Sequence, residues 1–235
     1  MVYTIAGITV DIQTMFDYSA RLLQPYICTN SDRPLYSISA NTREVEKIHS
    51  LNNQIDLPHA EQMMLSLKFN TNALRFGKVS LHASAFKFRG KGYLFSANSQ
   101  VGKSTQTKLW QQMFPNEVTI INDDKPIIGI EDNVPTVYGT PFSGGSDRDC
   151  NTSAPIGAVF FIKRADKCSI RRLNNLEACQ NFMENTIYRG SQNFMTALLD
   201  VMDKVCSCTQ FYELECTPTA ESVNCVYKSV IGELL

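Results

Sequence analysis

The feature that most constrains this chain is a short apolar run, Tyr93-Leu94-Phe95, leading through Ser96-Ala97-Asn98-Ser99-Gln100-Val101 into Gly102-Lys103-Ser104-Thr105. A strand that enters a glycine-lysine-hydroxyl turn and then a helix sets backbone N–H groups around an anion at the helix N-terminus. In such a loop the Lys103 ammonium reaches the β/γ oxygens of a polyphosphate and the Ser104 hydroxyl faces Mg²⁺. From average residue usage, the tripeptide alone arises in about one chain in ten of this size, so its context has to decide. Thr105 to Met113 reads as a helix stopped by Pro115, and Val118 to Ile121 as a second strand, which completes a βαβ-type unit of ordinary length. Beyond it, Asn122-Asp123-Asp124-Lys125-Pro126 places two acids beside the terminal phosphate. The candidate nucleotide contacts are Ser99, Gln100, Val101, Gly102, Lys103, Ser104 and Thr105, with Ala97 standing at the first glycine of G-x-x-x-x-G-K-[ST].

The flanking chain supplies strands and helices in a mixed order. Val2 to Val10 is a strand candidate. Asp56-Leu57-Pro58 opens a helix with an acidic N-cap and an early proline, its apolar positions including Met63, Met64, Leu67 and Leu74. Val79 to Phe88 and Gly92 to Phe95 read as strands joined at Arg89-Gly90-Lys91-Gly92, a hairpin that delivers the loop. Pro126 to Ile130 and Thr136 to Tyr138 are short strands split by Glu131-Asp132-Asn133, and Ala158 to Lys163 is a strongly apolar one. Two helices follow, one from Asn174 with Glu177 as a capping pair and one from about Ser191 to Val205. Strand Phe211 to Leu214 and a helix opened by Thr217-Pro218 end the chain. Hairpins beside the loop make this mixed α/β, not a doubly wound parallel sheet. Residues 1–235 read as a single nucleotide-binding domain, with 1–75 as an N-terminal sub-lobe that no composition break turns into a hinged unit.

Composition narrows the classes further. A formal net charge of −1 gives no general pull toward nucleic acid or anionic membrane. The sharpest basic group, Lys163-Arg164 with Arg171-Arg172, reads as the rim of a hairpin. No apolar stretch approaches the length of a membrane span and no signal-type segment opens the chain, so the expectation is a cytoplasmic protein. Eight irregularly spaced cysteines, without a C-x-x-C pair, are then expected as reduced, small apolar side chains. Cys206-Ser207-Cys208 is the one close pair, and His49, His59 and His82 add no zinc-like cluster.

Five motifs in order carry a resemblance over most of the chain. These are Leu81-His82-Ala83 with Phe86, Gly92-Tyr93-Leu94-Phe95, Gly102-Lys103-Ser104-Thr105, Asn122-Asp123-Asp124-Lys125-Pro126, and Tyr138-Gly139-Thr140-Pro141-Phe142-Ser143-Gly144. The pattern resembles the HPr kinase/phosphorylase and phosphoenolpyruvate carboxykinase superfamily. More closely, it is similar to short, single-domain HPr-kinase-like proteins, some of which phosphorylate serine in ribosomal peptides. The resemblance implies a mixed β-sheet P-loop fold of the carboxykinase/HPr kinase catalytic-domain type. It also implies ATP and Mg²⁺, a serine-kinase-like phosphotransferase, and a peptide or small-protein acceptor. HPr kinases assemble as hexamers, which adds a homo-oligomer to the expectations.

The same resemblance distributes roles. One acid accepts the proton of an acceptor hydroxyl and the other holds the metal; the assignment is Asp123 as base and Asp124, with Ser104, on the metal side. His82 aligns with a histidine that HPr kinases place before the loop, where it tunes proton transfer; taken by itself it is a strand histidine with a satisfied ring. Arg148, closing Gly145-Ser146-Asp147-Arg148, either brings a bidentate cation to the transferring phosphate or sits as a surface arginine in a turn. Lys125 is either a phosphate contact or a strand-end lysine facing water, and Arg189 is a lesser candidate. HPr kinases carry glycine where Gln100 stands and usually where Ala97 stands. A side chain at 100 crowds the loop or takes a dihedral that glycine takes freely, which keeps open a catalytically idle nucleotide-binding protein of a biosynthetic operon. A phosphoenolpyruvate carboxykinase-like metabolic enzyme is the third reading, opposed by the short chain and by the absence of placeable extra metal ligands.

Overall fold

Ala6 and Gly7, both at positive φ (52° and 73°), fold the expected first strand back on itself. The result is β1 (Val2–Ile5) antiparallel to β2 (Ile8–Gln13), joined by a two-residue turn whose left-handed geometry suits glycine. β3 (Tyr36–Ser39) runs parallel to β2 and completes a three-stranded sheet. This computed structural model describes residues 1–30, 32–186 and 192–232, with the side chains of 192 and 193 left aside. Three helices accompany the small sheet: α1 (Asp17–Leu23), α2 (Thr42–Leu51) and α3 (Leu57–Ala73). α2 opens on an Asn41/Glu44 capping box, and α3 on Asp56, whose carboxylate accepts the His59 backbone N–H at 2.9 Å. Ile5, Val10, Leu23, Leu65 and Phe69 form a core that also takes in Ile127 and Tyr138 from the larger sheet and Phe142 from the segment that follows Tyr138. Met63, one of the apolar positions read in α3, is 48% exposed; the buried apolar positions of the helix are Ala60, Leu65, Phe69 and Ala73.

The larger, mixed sheet has nine strands among the described residues. They are β4 (Lys78–Ser80), β5 (Ala83–Phe88), β6 (Lys91–Ser96), β7 (Val118–Asp124), β8 (Ile127–Glu131), β9 (Val134–Tyr138), β10 (Ser153–Arg164), β11 (Ser169–Arg172) and β12 (Gln210–Cys216). Their order is β4-β8-β9-β10-β6-β5-β7, with β12 paired to β10 and β11 to β12. The strand expected over 79–88 breaks at Leu81-His82, and β10 starts five residues before Ala158. That long strand is the pivot: Ser153–Pro155 pair antiparallel with β9, whereas Ala158–Phe161 run parallel to β6 and Ala158–Arg164 parallel to β12. At the switch, a Cβ on Gly157 would meet the Tyr93 ring at 2.8 Å. Because β12 inserts between β10 and β11, Lys163 and Arg171 do not rim a hairpin. Both pair with Glu213 on β12, at 2.5 and 3.3 Å.

Helices cover both faces. α4 (Lys103–Met113) and α7 (Ala220–Val226) close one core, where Trp110 stacks on Phe86 at 5.1 Å among Phe95, Phe160 and Val223. α5 (Asn175–Glu184) and α6 (Gln192–Cys208) close the other over Leu94, Val159 and Phe211. The Asn174/Glu177 capping box is present. α7 starts at Ala220 after Thr219, not at Thr217-Pro218. The start expected for α6, Ser191, lies outside the described residues. No helix among the described residues is long and apolar enough to cross a membrane.

Candidate functional site

The strand order brings distant motifs together. β5 lies between β6 and β7 and is antiparallel to both, so Ala83 pairs with Ser96 on one side and with Asp124 on the other. The C-terminal ends of β6 and β7 therefore emerge on either side of the start of β5, which follows His82. β7 runs to Asp124, three residues past the expected end, so both acids belong to the strand.

Residues 97–102 connect β6 to α4, which begins at Lys103 itself. Gly102 is its N-cap at φ 123° and provides no side-chain cap, leaving first-turn N–H groups available to an anion. Lys103 is 7% exposed and donates to the carbonyls of Ala97 (3.0 Å) and Asn98 (3.3 Å). Burial pushes the Lys103 ammonium's pKa down, against the opposing charges of Asp124 and Asp123. Ser104, Val101 and Gly102 are half-buried; Ser99, Gln100 and Thr105 are exposed. Gln100 takes φ 65°, the left-handed conformation, while its side chain stays in solvent. Of the two consequences expected for a side chain at 100, the observed one is the dihedral. Arg164, at the end of β10, donates to the Gln100 carbonyl and to that of Val101 at 3.4 Å. Sequence reasoning had missed this clamp, because the only signal was a basic pair 64 residues away.

The two acids have different surroundings. Asp123 is 3% exposed, and its Oδ2 accepts from Arg148 Nη1 at 3.0 Å while Oδ1 is buried without a protein partner. Asp124 has a side chain 25% exposed, with Oδ1 3.3 Å from His82 Nε2 and Oδ2 bonded to Lys125 Nζ. Burial alone would raise the Asp124 carboxyl, but the His82 hydrogen bond and the Lys125 charge outweigh it and bring it down to about 2. Asp124 also holds φ 151°, a conformation rare for residues with a side chain. Gly144, at φ 65°, packs directly on it: an added Cβ would lie 2.5 Å from Asp124 Oδ2.

His82 is thus joined to Asp124 rather than to Asp123. Arg148 is neither a free cation nor a surface arginine: it binds Asp123 and reaches Gln111 Oε1 at 3.2 Å. Lys125 is half-buried, its ammonium bound to Asp124 Oδ2. Arg189 lies outside the described residues. Beside Asp124 and Lys125 a cavity of about 430 Å³ opens, walled by α1, α3 and residues 141–145. Asp124, Lys125 and residues 141–144 of its lining belong to sequence motifs, whereas the α1 and α3 side, with Gln62 and the Asp56/His59 pair, had no signal beyond the cap of a helix.

Among the described residues no group of three or more His, Cys, Asp or Glu side chains could hold a metal ion by itself. The donors present suit a cation that arrives with phosphate: one hydroxyl, Ser104, and the partnerless Asp123 Oδ1 beside a second acid. Mg²⁺ is commonly bound this way, by one or two carboxylates plus substrate oxygens.

No protein-family model matches the chain, and no curated protein matches it. Among solved structures, the Hpr(Ser) kinase/phosphatase from Coxiella burnetii is a distant neighbour. It is 13% identical, covers 66% of this chain and 94% of its own, and has a TM-score of 0.35.

Proposed function

We propose that this chain is an ATP- and Mg²⁺-dependent kinase that transfers a γ-phosphoryl group to a hydroxyl, with serine of a peptide or small protein as the acceptor. The observation that carries the reading is the convergence of a buried Lys103, an uncapped helix N-terminus and the Asp123/Asp124 pair at the ends of two strands that flank β5. Transfer of this kind needs charge neutralisation, positioning and a place for one proton. In the proposed step the acceptor oxygen forms a bond to the γ-phosphorus, the bond from phosphorus to the β-phosphate oxygen breaks, and ADP leaves. The acceptor's proton passes to a carboxylate.

Surroundings favour the reverse of the assignment made from sequence. Asp124 touches His82 and borders the cavity, so it is the proposed proton acceptor. Asp123 and Ser104 are the proposed metal-side donors, since Asp123 Oδ1 has no other partner. Mg²⁺, when bound, neutralises charge on the transferring phosphate. Lys103 gives up its two carbonyl contacts for phosphate oxygens, and Arg148 fixes the Asp123 carboxylate.

Calorimetry with MgATP tests the reading, with ADP release followed in the same samples. Lys103→Ala is expected to weaken binding at least tenfold, about 1.4 kcal/mol, whereas Asp124→Asn keeps binding and loses turnover. The left-handed Gln100 favours one second reading, a nucleotide-binding protein without catalysis. MgATP binding with no ADP release under any acceptor would select it, and undetectable binding would overturn both.

A further inference from the structure

Resting on the kinase reading, we propose that the cavity between α1, α3 and residues 141–145 is the acceptor pocket. Its occupant is a neutral hydroxy-amide, a seryl or threonyl unit. Position is the first argument. Asp124 and Lys125 form one wall of the cavity, and none of residues 97–105 lines it. Nucleotide and acceptor would therefore reach the Asp124 carboxylate from separate directions, which transfer between two bound molecules requires.

The chemistry of the wall is the second. Gln62 lines the cavity at 9% exposure, and neither its amide nitrogen nor its amide oxygen has a hydrogen-bond partner. Buried polar groups are almost always partnered, and leaving one unpaired costs about 1–3 kcal/mol. Both amide atoms are closed to solvent; a turn of the Gln62 side chain toward an occupant that offers a donor and an acceptor, as a peptide group does, would satisfy both ends of that amide. The ionisable groups of the wall already have hydrogen-bond partners: Asp124 with Lys125 and His82, and Asp56 with His59 at 2.7 Å. Lys125, the one permanent cation among the described lining residues, is held by Asp124, so nothing on the wall is left to recruit an anion and it favours a ligand without negative charge. Leu22, Ile55, Met63 and Phe142 supply the apolar contact. A volume of about 430 Å³ lies at the small end of ligand sites, enough for one or two residues and too little for a folded surface.

The segment 141–149 is anchored to the N-terminal layer, which keeps this wall in place. Tyr18 donates to Asp147 at 3.0 Å and Tyr26 to Asp149 at 2.8 Å. The pocket is thus built jointly by α1, α3 and the end of β7 with residues 141–145.

The test uses the whole chain labelled with ¹³C-methyl methionine, reading the Met63 methyl by NMR. The probes are N-acetyl-serinamide, N-acetyl-alaninamide and a capped serine hexapeptide. The expected result is a saturable Met63 shift with the serine amide, at least tenfold weaker response to the alanine amide, and at least tenfold weaker serine binding in Gln62→Leu. Gln62→Leu should bind MgATP as the parent does, which separates loss of the pocket from loss of the fold. Tighter binding of the hexapeptide identifies a peptide as the source of the hydroxy-amide; equal binding identifies the free compound. Equal or absent responses to the serine and alanine amides, or unchanged serine binding in Gln62→Leu, overturn the proposal. So does a Met63 shift by MgATP that blocks the serine amide, since the cavity would then belong to the nucleotide. A Met63 response to serine amide with no MgATP binding refutes the kinase reading and the acceptor role while leaving a ligand pocket.

Discussion

Removing the Arg148 guanidinium should cost more stability than removing any other charge at the site. The Asp123 side chain is 2% exposed and that of Arg148 21%, with Nη1 and Oδ2 3.0 Å apart. The second Asp123 oxygen has no partner in the protein, so Arg148→Ala leaves a buried carboxylate with no side-chain donor. Breaking one partner out of a buried pair costs about 3–5 kcal/mol. Arg148 is partly open to water and Lys103 contributes a nearby positive charge, which points to the lower end, about 3 kcal/mol. For a chain of this length each kcal/mol moves the melting temperature by about 2–4 °C, so a fall of about 6–12 °C is expected by calorimetry. The double variant Arg148→Ala/Asp123→Asn should regain most of it, because a neutral amide tolerates the loss of the cation. A melting temperature within about 2 °C of the parent would refute the argument, as would a double variant no more stable than Arg148→Ala.

Three further outcomes follow from the same geometry. The Asp124 carboxyl is depressed from 3.8 to about 2, so its contribution is present above the ordinary aspartate value and disappears as pH falls from about 4 through 2. At 1.36 kcal/mol per unit this is about 2 kcal/mol; urea unfolding at pH 5 and pH 2 should show the parent losing that much more than Asp124→Asn, and parallel losses would disprove the pairing. Gly144→Ala sets a Cβ 2.5 Å from Asp124 Oδ2 at φ 65°. It should cost about 1–3 kcal/mol in denaturant titration and reduce ADP release with MgATP affinity kept; unchanged turnover would show that Asp124 tolerates displacement. Gln100→Gly relieves a left-handed residue of about 1 kcal/mol at the expense of a more flexible unfolded chain. The melting temperature should hold or rise slightly, and a loss above about 1 kcal/mol would mean that the exposed side chain has a contact of its own.

What could be read from sequence was local, and what could not was the pairing of distant pieces. The Arg89-Gly90 hairpin, the Asn174/Glu177 box and the Asp56 cap each specify their structure within a few residues, and all three are present. The turn at Ala6-Gly7 escaped because Val2 to Val10 is rich in apolar and β-branched residues on both sides of it, and hydrophobic pattern alone cannot distinguish one long strand from a tight hairpin. The exposure of Met63 has a related reason: α3 meets the protein on most of its surface, burying even Glu61 and Gln62, so its apolar residues do not mark one inner face. The candidate site divides the same way. Loop and acids stand out as motifs, but their adjacency depends on β5 pairing with both β6 and β7, and the company of Asp124 depends on which strand end His82 reaches. Gln100 is the most instructive residue. Sequence could pose only crowding against dihedral strain, and the fold chooses strain because the side chain turns to solvent while Arg164 holds the carbonyl. The loop's conformation is thus held in part from β10, outside the motif, and Arg164→Ala is expected to weaken the MgATP binding proposed for residues 97–105, as calorimetry would read; unchanged affinity would show that the loop holds its shape without that contact.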